Sequence, residues 1–252
     1  MQRNIPAYQV VALFIAILLL PAVLLGQSKG LASRGTANFR FRYDRSVRAE
    51  DIRKIGKEME AAYIDCSGRL GLSLHRKVDV YAFSSPGRFR TDSRSGVYDD
   101  AAIRDGKIYL SVGAVLKSDT SRSNPIARSV SEAILNELKW CPRWVAEIYG
   151  IYAGRDLSRF GSPAQLTAST FSDLSEDYAR AVNSKDLTEV HAKLAATARF
   201  FVDRYGEKKL ERLYLQFVRP ATLDDAFEAA FGEKLPVIEK AWAAALRSPS
   251  KG

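Results

Sequence analysis

Residues 124–155 read as two consecutive helices with a tight break between them, and the rest of the chain has to be arranged around that pair. Asn124 offers a side chain suited to an N-cap, and Pro125 suits the first turn, where its missing N–H has no partner to lose. Ile126, Val130, Ala133, Ile134 and Leu138 then recur at helical spacing and form one apolar stripe. Pro142 restarts the chain, and Trp144, Val145, Ile148, Ile151 and Tyr152 make a second stripe that ends at Gly154. Each helix carries one carboxylate beside its stripe, Glu132 on the first and Glu147 on the second.

Pro142-Arg143-Trp144-Val145-Ala146-Glu147, followed by Ile148-Tyr149-Gly150-Ile151-Tyr152, resembles the second motif helix of the peptidase MA-like family, zinc peptidases of the gluzincin kind. Such proteins carry a His-Glu-x-x-His helix and then a Pro-x-Trp-Leu-x-Glu-Gly-x-Ala-x-Tyr helix that supplies a third, glutamate ligand. In that alignment Glu147 takes the third-ligand position and Tyr152 the tyrosine, while Ile148 and Gly150 stand where glycine and alanine are expected. Setting Glu132 on the catalytic glutamate puts Ser131 and Leu135 where the two histidines belong, and the linker from Leu135 to Glu147 is short for the family. The resemblance implies a vestigial site made of Ser131, Glu132, Leu135, Glu147 and Tyr152.

The missing histidines decide which chemistry can be carried over. A catalytic zinc takes three protein ligands and leaves an open position for water. The metal lowers the pKa of that water from about 15.7 to about 7, on the order of 12 kcal/mol of nucleophile activation. General base catalysis by Glu132 alone supplies about 10²–10⁴-fold, a few kcal/mol. The expectation is therefore that zinc is lost, that no metal or other cofactor is held, and that the peptidase activity goes with it.

The resemblance implies an α+β, zincin-like fold, with a small mixed sheet and packed helices followed by a helical C-terminal part. The expected division is a leader and linker over 1–36, the domain over 37–247, and a tail over 248–252. Within the domain, 37–155 holds the sheet and motif helices and 156–247 the helical part. Phe39, Phe41 and Tyr43 alternate with Arg40 and Arg42, which predicts a strand with one aromatic and one basic face. Residues 49–70 predict an amphipathic helix bearing Ile52, Ile55, Met59, Tyr63, Cys66 and Leu70 on one side. Strands are predicted over 78–83 and 106–110, with residues 87–90 in a loop or short helix between them. A polar loop from 156 to 169 leads to helices over 191–205, from Leu210 to Phe217, from Thr222 to a stop at Gly232, and from Leu235 onward.

Residues 10–26 are apolar throughout and follow Arg3. At about 1.5 Å per residue they reach about 25 Å, the short limit for a membrane-crossing helix. A secretory signal peptide fits equally, with small residues at Gly30 and Ala32. Either reading places the domain outside the cytoplasm, on a membrane or in a periplasm-like space. Residues 27–36 read as a short polar linker.

Net charge is +9, and the excess lies early: residues 1–150 hold 23 Lys and Arg against 15 acids, and residues 151–252 hold 15 against 14. Residues 29–48 carry six of these cations against one acid, Asp44, which suits a solvated strand face or contact with acidic lipid. Aromatic-plus-arginine alternation also suits nucleic acid, but a half-buried strand accounts for it, and no nucleic-acid partner is expected.

His75 beside Arg76 and Lys77 is expected on the surface. His191 is considered as a recruited zinc ligand and, with Cys141, as part of a thiol nucleophile pair; one histidine is too few for the first, and no spacing supports the second. Cys66 and Cys141 either pair in an oxidising compartment or remain buried thiols. Three functions follow. The first is a pseudoenzyme whose cleft binds a peptide or envelope component. The second is a hydrolase with ligands recruited from elsewhere, and the third is a basic lipid-surface binder.

Overall fold

The computed structural model describes residues 30–93, 100–120, 123–158, 170–181 and 184–247. It is an α+β structure with a mixed five-stranded sheet of order β1-β2-β3-β5-β4, and the described residues contain ten α-helices. The strands are β1 (Leu31–Gly35), β2 (Phe39–Asp44), β3 (Val78–Phe83), β4 (Ala101–Arg104) and β5 (Lys107–Ser111). The central pairs β2–β3 and β3–β5 are parallel, and the outer pairs β1–β2 and β5–β4 are antiparallel.

Alternation in the sequence sets the two faces of the sheet. Phe39, Phe41, Val80, Ala82, Ile108 and Leu110 are buried on one face, where helix α1 (Ala49–Leu70) packs with Ile52, Ile55 and Met59. Burying each of the larger side chains contributes about 1.5–3 kcal/mol. The other face holds the Arg40–Asp79 ion pair and a Tyr81–Tyr109 stack with ring centres 5.3 Å apart. At its end Phe83 stacks beside Tyr109, and Arg88 of the short helix α2 (Pro86–Ser93) lies 5.4 Å over its ring. The basic face predicted for β2 is therefore half-solvated sheet, with Arg42 lying 5.9 Å over the Tyr81 ring.

The structure differs from the sequence expectations at three places. Residues 27–36 do not form only a linker, because Leu31–Gly35 is an edge strand in register with β2 from Leu31↔Asp44 to Gly35↔Arg40. Residues 101–111 form a hairpin rather than one strand. Asp105 and Gly106 both take positive φ, 51° and 69°, which is the geometry of a two-residue type I′ turn. The expected transmembrane helix is not found, since no helix among the described residues is long and apolar enough to cross a membrane. The two longest, α1 and α7, have the length at 22 residues but are amphipathic and richly charged. The apolar run 10–26 on which that expectation rested lies outside the described residues, as do the tail 248–252 and most of the loop expected over 156–169.

The short helix α3 (Val112–Lys117) leads to the motif pair, α4 (Pro125–Leu135) and α5 (Arg143–Ala153). Asn124 caps α4 as expected, accepting from Ala127 N at 3.0 Å. A 3₁₀ turn at Asp156–Ser158 follows, then α6 (Phe171–Arg180), α7 (Ser184–Tyr205), α8 (Glu207–Gln216), α9 (Leu223–Phe231) and α10 (Leu235–Arg247). Thr170 opens α6 with a reciprocal capping box to Asp173. Phe171 sits between Trp144 of α5 and Trp242 of α10, at ring-centre distances of 5.6 and 4.8 Å. The Tyr214 hydroxyl of α8 donates to the Val145 carbonyl at 3.0 Å, so the helical part and the motif helices share one core.

Candidate functional site

Helices α4 and α5 run antiparallel and close together, and their sequences show why. Gly150 and Gly154, one turn apart, face the side chains of Glu132 and Arg128, also one turn apart. A Cβ on Gly150 would stand 2.5 Å from Glu132 Oε1, and one on Gly154 would stand 2.9 Å from Arg128 Cβ. Backbone contact fixes the register further, with Asn124 N donating to the Gly154 carbonyl at 2.6 Å. The two glycines form a groove that admits charged side chains into the helix–helix junction.

The centre of that junction is Arg128. Its Nε donates to Glu132 Oε1 at 3.1 Å, and a second guanidinium nitrogen bonds Glu147 Oε1 in a short contact. The third approaches Asp156 Oδ2 at 3.8 Å, and Asp156 in turn accepts from the Ser123 hydroxyl. Arg128, Glu132 and Glu147 are each less than a tenth exposed, and Asp156 is wholly buried. His191 of α7 brings its Nε2 to 3.6 Å from the same Glu147 oxygen. Burial alone would push the Glu147 carboxyl up. The charges of Arg128 and His191, with hydrogen bonds from Arg128 and Tyr178, outweigh it and hold the group below the ordinary carboxylate range. Burial, with the charges of Glu147 and Glu132, pushes the Tyr178 hydroxyl well up, so it stays a donor.

Two of the five expected site residues meet here, Glu132 and Glu147, joined through one guanidinium. The other three take no part in that ion cluster. Ser131 is wholly buried and donates to the Arg128 carbonyl at 2.8 Å, a bond within its own helix. Leu135 is core. Tyr152 is half-buried and lines a different cavity, of about 670 Å³, with Tyr149, Cys66 and Arg69. Cys66 and Cys141 are free, and burial pushes both thiols up to about 12, which leaves neither a ready nucleophile. Sequence reasoning missed Arg128, Asp156 and Tyr178. The Arg128–Glu132 spacing of four on a helix was the available signal.

On the solvent side, the two glutamates form part of the base of a cleft of about 530 Å³. The hairpin turn at Ile103–Gly106 borders it on one side, and the α4–α5 connection with Lys139 and Arg143 on the other. Among the described residues no group of three or more His, Cys, Asp and Glu side chains is arranged to hold a metal ion. Comparison with family models, with curated proteins and with solved structures gives no match for the chain.

Proposed function

We propose that the chain is a degenerate peptidase MA-like domain that acts as a binding or scaffold module, with its cleft as the working surface for a peptide or envelope component. One observation carries the reading: Arg128 spans Glu132 and Glu147, the two positions that the family resemblance assigns to catalysis and to metal binding. The donor set does not fit zinc. Ser131 is turned to a backbone carbonyl, Leu135 has no donor atom, and the two carboxylates are committed to a guanidinium that would repel a divalent ion. Without a metal, Glu132 has no activated water to receive a proton from.

The competing hydrolase reading has one favourable observation, the 3.6 Å approach of His191 to Glu147. It requires Arg128 to leave the centre. Metal analysis of the purified full chain, with assay against a peptide library, separates the two. The binding-module reading expects neither stoichiometric zinc nor cleavage. About one zinc per chain, lost in Glu147→Ala, overturns it.

A further inference from the structure

The cleft is lined by four cations, Arg76, Arg104, Lys139 and Arg143. Among the described residues, Arg76, Lys139 and Arg143 engage no carboxylate, and all three are exposed. Arg104 lies 3.5 Å from Asp105, the only acid on the rim among the described residues. The remaining acids of the cleft, Glu132 and Glu147, lie at its base and are held from behind by Arg128. Three cations at the mouth thus lack a carboxylate partner among the described residues, while the carboxylates at the base share Arg128. Lys139 also lies 4.9 Å over the Trp140 ring, which keeps its ammonium at the surface beside the opening.

From this arrangement we infer that the cleft selects acidic ligands, and that the natural occupant is an extended peptide rich in Asp or Glu, whose carboxylates pair with Arg76, Lys139 and Arg143. Arginine forks match carboxylates in two-point contacts, and concave walls concentrate the field of the rim. The ligand's acids sit at the mouth, because the base keeps a residual negative charge from two glutamates sharing one guanidinium. A single-stranded nucleic acid is the poorer fit. Such strands bind on successive exposed aromatic platforms; among the described residues Tyr178, the one aromatic lining the cleft, is engaged with Glu147, and the single exposed Trp140 beside the opening lies under Lys139.

This inference rests on the reading of the cleft as a peptide-binding surface, and the test separates the two. A short fluorescent peptide of alternating Glu and Ala is titrated with the full chain and followed by anisotropy. Its counterpart with Gln for Glu and an oligothymidylate are run in parallel. The acidic peptide is expected to bind at least about tenfold tighter than the Gln peptide, with affinity falling as salt rises. The triple variant Arg76→Ala, Lys139→Ala, Arg143→Ala is expected to lose about tenfold in affinity, the small gain of exposed ion pairs summed over three sites. The melting temperature should be unmoved, since none of the three makes an ion pair among the described residues. Equal binding of both peptides, or an unaffected triple variant, overturns acid selectivity and leaves the peptide-binding reading standing. No binding of either peptide overturns both. Tighter binding of oligothymidylate than of the acidic peptide assigns the cleft to nucleic acid and overturns the inference.

Discussion

Glu132 lies across Gly150 so closely that its Cγ stands 2.7 Å from where a Cβ would be, and its Oε1 stands 2.5 Å away. An alanine at 150 is therefore excluded as long as Glu132 is bound to Arg128.

Gly150→Ala tests that coupling. Glu132 cannot swing aside without losing its guanidinium, so the methyl group forces a shift of α4 against α5. Overpacking of this kind costs about 1–3 kcal/mol, to be read as a lowered urea midpoint. When Glu132→Ala is already present, Gly150→Ala should cost less, and a double-mutant cycle measures the difference.

Arg128→Met removes the positive charge and leaves Glu132 and Glu147 buried together. Breaking a buried ion pair from one side costs about 3–5 kcal/mol. Since protonation relieves carboxylates left without a cation, the deficit relative to wild type should shrink as the urea titration is repeated at progressively lower pH. A deficit that stays constant with pH would show that the side chain acts by packing alone.

The depressed Glu147 carboxyl fixes the sign of an acid limb. Its folded-state pKa lies below its ordinary value of 4.5, so the folded chain holds fewer protons at this site than the unfolded chain. The stabilisation is present above about 4.5 and is lost as pH falls through the depressed folded value. Glu147→Gln lacks this titration, so its stability curve should be flatter below 4.5, although its stability at neutral pH is lower.

Cys66 and Cys141, both pushed up to about 12 by burial, stay protonated at neutral pH. The native chain should resist iodoacetamide over the time in which the urea-unfolded chain takes up two equivalents, as counted by intact mass. Rapid native labelling of Cys141, the less buried of the two, would indicate that the α4–α5 connection opens.

What could be read in the sequence was what local patterns determine. Helix α1 and strand β3 have the predicted limits, and Asn124, Thr222 and Gly232 cap the helices they were expected to cap. Strand β1 was hidden because Leu31–Gly35 is half-buried or exposed, without apolar alternation, and is held at the sheet edge by pairing to β2. The local signal for strand β4 is Asp105-Gly106, a turn pair between Ala101–Arg104 and Lys107–Ser111. The site was half legible. Helical spacing puts Arg128 beside Glu132, but Glu147 and Asp156 reach the guanidinium, and His191 reaches Glu147, only through tertiary packing. The role of the two glycines likewise depends on which helix faces them.

The cation in the junction between α4 and α5 is a side chain of α4 itself. It arrives with synthesis of the polypeptide, so closing the junction involves no uptake equilibrium and no competition with other proteins for a scarce ion. The integrity of the helix pair is thereby tied to the protonation of the carboxylates that Arg128 joins.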